Sequence, residues 1–493
     1  MRKAFLVFVV MVLGGTLAAQ TYDVVIAGGR VMDPETGLDA VRNVGVTDGK
    51  IARISADPLT GKRTMEAKGL VVAPGFIDLH QHSQDLEAQR LKALDGVTTA
   101  LELEIGAPDV TIFLNDKKGH SLINYGTSAS HPAARALAFG EPLPPETPVA
   151  TPNATPVLVA KSGPATDKPA TPQQIDAMLA RLRGELDAGA LAVGMGIQYT
   201  PGATRHEVIE MFRLAAERHV PVYTHVRSNG NQEPGSDVES ISEVIAASAI
   251  TGAPLHIVHI NSSCLKNTLE CLDMVAGARA RGLDVTTEAY PYIAGMTYIN
   301  SALFNPGFRE KLGIDYSNLV VPDTGEHLTE ARFNELHASS KPQVVLVFAN
   351  TQEMVDQTIP NPLVMIASDG EKSHPRNAGT YSRVLRQYVH EKGSLTLMDA
   401  LRKMSLMPAQ MLERSTPAAH QKGRLQEGAD ADIVVFDPAT ITDRSTFEKP
   451  TQPSEGMRYV LVGGTPIVED GKSVTGVLPG KALVGPGMHA TGN

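Results

Sequence analysis

Short apolar runs with β-type alternation crowd both ends of the chain, and a long middle alternates such runs with helical spacing. From Tyr22 to about Ala73 the runs are Asp23-Val-Val-Ile-Ala27, Gly45-Val-Thr-Asp-Gly-Lys50 and Ile51-Ala-Arg-Ile54. Asp48-Gly49 between two of them is a strong hairpin signal. The same texture returns in Ala431-Asp-Ile-Val-Val-Phe-Asp437, Tyr459-Val-Leu-Val-Gly-Gly464 and Pro466-Ile-Val-Glu-Asp-Gly-Lys472. This pattern predicts one small β-sandwich domain assembled from residues 20–73 and 416–493, the last of them a C-terminal tail.

Between these ends, apolar runs at Gly69–Leu79, Thr98–Gly106, Leu191–Gly196, Val220–Thr224, Pro254–Val258, Leu283–Thr287 and Leu363–Ala367 are separated by amphipathic stretches. Thr171-Pro-Gln-Gln174 opens one such stretch as a capping box with Pro in the first turn. Ile175, Met178, Leu179, Leu182 and Leu186 then keep helical spacing up to Gly189. Strand–helix alternation over residues 74–415 predicts an α/β chain built on a parallel (β/α)₈ TIM-like barrel. Glu141–Thr171 breaks the pattern with Pro142, Pro144, Pro145, Pro148, Pro152, Pro156, Pro164 and Pro169, and reads as a long loop.

Composition narrows the classes. With 493 residues, 42% hydrophobic and 20% charged, the chain has material for a large core and a second, smaller domain. A net charge of −10 without a basic run argues against nucleic-acid or anionic-membrane partners. Residues 1–19 read as a signal peptide: Arg2 and Lys3, an apolar stretch Ala4–Leu13, then small residues to Ala19. Export, to a periplasm-like compartment and without a membrane anchor after processing, is the expectation; an uncleaved anchor is the alternative. Cys264 and Cys271 are the only cysteines. On one continuous helix they would be roughly 10 Å apart along the axis, too far for a bridge. A loop position for Cys264 would leave a bridge open, and two buried thiols are the expectation.

The chemistry sits at the ends of the predicted strands. His80 and His82 close the run Gly69–Leu79, and alternation along a strand turns both into one space. His225 closes Val220-Pro-Val-Tyr-Thr-His and His259 closes Pro254-Leu-His-Ile-Val-His. Four imidazoles at three strand ends suit a metal centre of the zinc type. His256, three residues before His259, is expected on the opposite strand face as a structural residue. Asp369 ends Val364-Met-Ile-Ala-Ser-Asp, where a carboxylate beside a metal can accept and return a proton. In Thr98–Gly106, alternation puts Leu101, Leu103 and Ile105 under helices and Ala100, Glu102 and Glu104 inside the barrel. Glu104, nearer the strand end, is the expected metal ligand, and Glu102 a hydrogen-bonding partner one layer deeper; the reverse assignment is the alternative.

These residues, with Pro74-Gly-Phe-Ile-Asp-Leu-His-Gln-His82, Gly189-Ala-Leu-Ala-Val-Gly-Met-Gly-Ile-Gln-Tyr-Thr-Pro-Gly202, Thr224-His-Val-Arg227, Tyr290-Pro-Tyr-Ile-Ala-Gly295, Ser368-Asp-Gly370, His374-Pro-Arg376, Gly379-Thr-Tyr-Ser-Arg383 and Gly428-Ala-Asp-Ala-Asp-Ile-Val-Val-Phe-Asp437, resemble the amidohydrolase superfamily. Within it the chain is similar to the N-acyl-D-amino-acid deacylases (D-aminoacylases) over nearly its whole mature length. The resemblance implies a barrel beside a β-sandwich, one or two Zn²⁺ ions on His80, His82, His225 and His259, and Asp369 as acid/base. It further implies that Arg376 grips the substrate carboxylate and that Tyr199 and Tyr290 line the pocket.

Two departures stand out. The family's Gly-Asn-Cys-Gly after strand two is Leu103-Glu-Ile-Gly106 here, with Ile105 opposite the ligand Cys, so Glu104 is read as the substitute. Asn261 stands where the family often has Lys, removing a cation from the carboxylate pocket. Leu191–Tyr199 contains no Lys, which weakens a reading as a cyclic amidase bridged by carboxylated lysine.

The expected activity is hydrolysis of the amide bond of small N-acyl-D-amino acids by metal-bound hydroxide, with Asp369 as acid/base. A dipeptidase, a dihydroorotase- or hydantoinase-like cyclic amidase, and a non-catalytic periplasmic binding protein are the alternatives. Oligomeric state is open.

Overall fold

The computed structural model describes residues 21–143, 163–339 and 341–490. The expected signal peptide and most of the Pro-rich segment lie outside them.

Eight parallel strands form the barrel: Phe76–Asp78, Val97–Ala107, Asn124–Ser130, Val193–Gly196, Val222–His225, Leu255–Ile257, Val285–Ala289 and Val364–Ile366. They lie in chain order, each paired with the next. The ring closes above the first and eighth strands. His82 N donates to Gly370 O at 3.0 Å, and Gly370 N to His80 O at 3.2 Å. A Cβ at Gly370 would fall 2.0 Å from Gln81 Oε1 and 2.7 Å from Ser368 Oγ, so a larger residue there would displace both side chains.

Helices form where the sequence signals them. Thr171 Oγ1 accepts from Gln174 N and the Gln174 side chain accepts from Thr171 N, opening Pro172–Asp187. All five expected core positions of that helix, Ile175, Met178, Leu179, Leu182 and Leu186, are buried. Within the segment read as loop, Pro164–Asp167 is a short helix, and the buried Arg135 side chain donates to Ala165 O and Lys168 O beside it.

A nine-stranded sheet joins the two chain ends, with Val71–Pro74 antiparallel to Ile433–Phe436. Leu38–Thr47 and Lys50–Ser55 form the expected hairpin, in which Asp48 and Gly49 take φ of 52° and 75°. That pair of positive φ values is what a two-residue turn of the strand-matching hand needs. The tail turns back onto the barrel: Leu483 N donates to Tyr125 O at 2.7 Å, and Tyr125 N donates to Lys481 O at 3.1 Å.

Three expectations are corrected. The cysteines form a disulfide, Cys264–Cys271, with Cα atoms 6.6 Å apart. Cys264 ends a short helix (Ile260–Cys264), Leu265 takes φ 43°, and the next helix starts only at Thr268, so the two cysteines do not share one axis.

His256 does not face away from the site side. It lies in the barrel interior, its ring 4.5 Å from Tyr223 and its Nδ1 2.8 Å from Thr286 Oγ1. The alternation argument fails because the strand ends at Ile257 and His259 takes φ 30°.

The second strand also departs from simple alternation. Ala100 belongs to the apolar cluster that holds Ala93 and Leu114 of the neighbouring helices, whereas Leu101 and Leu103 cluster with Ile77, Tyr223 and Met365. Pairing with the third strand shifts register between Glu102 and Ala107, which decouples the two halves of the strand.

One element escaped the sequence reading. Between the seventh and eighth barrel strands, Gly295–Tyr298, Leu319–Val321, Glu326–His327 and Val344–Val347 form a separate four-stranded sheet with its own apolar core around Phe304, Phe308 and Phe333. It forms one wall of the cavity described next.

Candidate active site

The four strand-end histidines and Glu104 meet at one place. Glu104 Oε2 lies 3.2 Å from both His80 Nε2 and His82 Nε2. Its other oxygen, Oε1, lies 2.8 Å from His225 Nδ1 and 3.1 Å from His259 Nε2. Asp369 Oδ1 stands 3.4 Å from His80 Nε2 and 3.2 Å from His82 Nε2. Among the described residues, His80, His82 and Asp369, and likewise His80, Glu104 and His259, converge tightly enough to hold a metal ion. Imidazoles with carboxylates are the donor set of a zinc-type ion. Two imidazole nitrogens 3.2 Å apart, each also facing the same carboxylate oxygen, form an arrangement that a shared cation stabilises.

Neighbouring side chains orient the histidines. His82 Nδ1 lies 2.7 Å from Glu102 Oε2, and His80 Nδ1 2.7 Å from Glu288 Oε1. Glu288 Oε2 in turn faces His256 Nε2 at 3.2 Å. Carboxylates behind metal-facing imidazoles fix tautomer and ring direction. Sequence reading missed Glu288; the available signal was a carboxylate inside the apolar run Val285–Ala289, where charge is costly unless paired.

The electrostatics are tightly coupled. Burial opposes charge on His80, yet Asp369 and Glu104 beside it raise its pKa to about 10. Burial would raise Glu288, but bonds to His256 and His80 hold it down to about 2. Burial opposes ionisation of Asp369 as well, and Arg376 and His80 hold it far below the usual carboxylate range.

Arg376, 1% exposed, sits with Nη1 2.7 Å from Asp369 Oδ2 and its guanidinium 4.8 Å from the Tyr290 ring centre. Despite that contact, Arg376 Nε and Nη1 and the Tyr290 hydroxyl make no well-directed hydrogen bond among the described residues. Burial pushes the Tyr290 hydroxyl up to about 12, so it stays protonated. Tyr199 packs against His225, ring centres 4.9 Å apart, and accepts from Thr297 Oγ1 at 3.3 Å.

The cavity has two lobes that share His82, Glu104, Tyr199, Met296 and Thr297. The first, about 590 Å³, contains Tyr290, Asp369, His225 and His259 and ends in Leu303, Leu312 and Val347. The second, about 420 Å³, contains Ile105, Tyr298, Val344, Glu371 and Arg376. Ile105 therefore lines the cavity instead of packing under helices. Asn261 is buried and donates to Tyr290 O at 3.2 Å, so it braces the strand-seven loop. The fourth strand, Val193–Gly196, offers no lysine to the site.

Known proteins resemble this chain over most of its length. Residues 261–468 match the model of the Amidohydrolase family. The chain is 31% identical over 468 residues to an N-acyl-D-glutamate deacylase of Alcaligenes xylosoxydans xylosoxydans, covering 90% of this chain and 93% of the relative. It is 30% identical over 496 residues to the D-aminoacylase of the same organism, covering 94% and 98%. The crystal structure of N-acyl-D-glutamate deacylase from Bordetella bronchiseptica, complexed with zinc and a phosphonate mimic of the tetrahedral intermediate, superposes with TM-score 0.77 at 26% identity. That match covers 94% of this chain and 100% of the other.

Proposed function

We propose, on the premise that this chain belongs to the N-acyl-D-amino-acid deacylase family of metal-dependent amidohydrolases, that it releases a carboxylic acid and a D-amino acid from small N-acyl-D-amino acids. The observation that carries the reading is Glu104, set with one oxygen toward His80 and His82 and the other toward His225 and His259. We assign His80, His82, Glu104, His225 and His259 as the residues that would hold Zn²⁺. A bound zinc ion supplies Lewis acidity, lowering the pKa of water and polarising the amide carbonyl.

The chain's own residues do the rest. Asp369, kept ionised by Arg376, accepts the proton of the attacking water at its carboxylate and returns it to the departing amine nitrogen. Beside its ion pair with Asp369, Arg376 keeps Nε without a hydrogen-bond partner among the described residues, on a planar fork that suits the substrate's α-carboxylate. Tyr290 presents a protonated hydroxyl to the same space, and Tyr199 closes the wall over His225. Asp369 and the orphaned donors favour an enzyme over a non-catalytic binder. The test is amine release from paired N-acyl-D- and N-acyl-L-amino acids, with and without chelator. The D partner should react faster by about tenfold or more, a gap of roughly 1.4 kcal/mol. Equal rates, or activity confined to cyclic amides, would refute the reading.

We also propose export. Arg2-Lys3, the apolar run Ala4–Leu13 and Ala18-Ala19 support it, as does the Cys264–Cys271 disulfide, which belongs in an oxidising compartment. N-terminal sequencing of the mature protein should then begin at Gln20.

A further inference from the structure

We propose that Glu371 makes the second lobe a binding site for a protonated amine on the substrate, so that this chain prefers N-acyl amino acids bearing a basic group over those bearing a second carboxylate. The inference rests on the reading above and adds the class of substrate.

Glu371 follows Asp369 by two residues and lines the same lobe as Arg376, among Ile105, Met296, Tyr298 and Val344. Among the described residues its two hydrogen bonds fall on Oε1, from Ser83 Oγ at 3.0 Å and from Lys372 N at 3.2 Å. They aim the carboxylate and leave Oε2 for a ligand. Among the described residues no lysine or arginine pairs with it. The adjacent Lys372 turns away, with Nζ 2.9 Å from Asp85 Oδ2 and 2.8 Å from Glu87 Oε2. Arg376 is engaged by Asp369.

A carboxylate largely against apolar walls, ion-paired to no lysine or arginine among the described residues although His82 and Arg376 act on it through space, favours a ligand that brings a cation. Among the described residues, Arg376 is meanwhile the only Arg or Lys lining either lobe. Once it holds the α-carboxylate, a second carboxylate on the substrate finds no other Arg or Lys among the described lining residues and meets Glu371. A molecule with one carboxylate and one ammonium satisfies both residues. The ammonium could sit on the amino-acid side chain or on the acyl group, and the experiment separates these sources.

Four substrates are compared on the metal-loaded enzyme: Nα-acetyl-D-lysine, N-acetyl-D-norleucine, N-acetyl-D-glutamate and glycyl-D-norleucine. Wild type should favour the lysine derivative over the glutamate derivative. In Glu371→Gln the ratio of kcat/KM for the lysine derivative to that for the norleucine derivative should fall by about tenfold or more. Glu371→Asp, which keeps the charge, should retain the preference, and Glu371→Lys should move it toward the glutamate derivative. A fall in the glycyl-to-acetyl ratio on norleucine instead would support the site with the amine on the acyl group. Unchanged ratios in Glu371→Gln, or a wild-type preference for the glutamate derivative, would overturn the inference while leaving the deacylase reading intact. Failure of wild type to release amine from the norleucine derivative would overturn the deacylase reading itself, and this inference with it.

Discussion

Glu102 and Glu104, neighbours on one strand, approach the same imidazole from opposite sides: Glu102 Oε2 lies 2.7 Å from His82 Nδ1, and Glu104 Oε2 lies 3.2 Å from His82 Nε2. The first fixes the ring and the second shares the space that the ring faces. Glu104→Gln should therefore lose metal and activity together while the fold survives. Glu102→Gln should keep metal at saturation but bind it about 10–100-fold more weakly, the usual cost of losing an orienting carboxylate. Elemental analysis and metal titration of the two variants, prepared in parallel, check this. Full occupancy in Glu104→Gln would remove it from the ligand set.

Arg376 combines a buried position, an ion pair with Asp369 and an Nε without a hydrogen-bond partner among the described residues. Arg376→Lys keeps the charge and removes the two-pronged geometry. For substrates with a free carboxylate, kcat/KM should fall by an equivalent of about 2–4 kcal/mol. The matching carboxamides should lose much less. Equal losses on both would mean that Arg376 serves only to hold Asp369.

The Cys264–Cys271 disulfide ties the turn bearing Ser262 and Leu265, both lining the first lobe, to the helix that follows. Closing so short a loop stabilises by roughly 2–3 kcal/mol in the chain-entropy account. The double variant Cys264→Ser/Cys271→Ser should melt at a lower temperature and show a raised KM. Thiol titration of the denatured, unreduced protein should find no free thiols; finding both free would contradict the bridge.

Lys403 is buried and donates to Val364 O at 2.8 Å, under the eighth barrel strand. Burial lowers its pKa from 10.5 to about 8. Since the folded value is depressed, the unfolded chain binds the extra proton between these limits, and the contribution to stability rises with pH from about 8 to 10.5. Below that window the contribution is lost. Thermal melts of wild type and Lys403→Met across this range should show the difference moving in favour of wild type as pH increases. A difference independent of pH would show that Lys403 titrates normally.

Local pattern carried a great deal of this molecule. Runs such as Val220–Thr224 and Leu363–Ala367 became barrel strands because alternation and apolar character are properties of a few consecutive residues. The Thr171 cap, the Asp48-Gly49 turn and the pairing of both chain ends into one sheet follow from equally local chemistry. His80, His82, His225, His259 and Asp369 were visible for the same reason: each directly follows or ends such a run.

What tertiary structure decided lies where local regularity stops. His259 reaches the site through a left-handed backbone turn that alternation could not foresee, and His256 points inward for the same reason. Leu101 and Leu103 cluster inside the barrel and Ile105 lines the cavity, and a register shift between Glu102 and Ala107 keeps this strand from simple alternation. Glu288 became the partner of His80 across 208 positions, and Arg376 the partner of Asp369, only when the barrel closed. The two-lobed cavity depends on the sheet inserted before the eighth strand, whose short strands carry no catalytic signature in sequence. Residue types and their local spacing determined which donors this chain owns; closure of the ring set the distances between them, and those distances make a metal-dependent site.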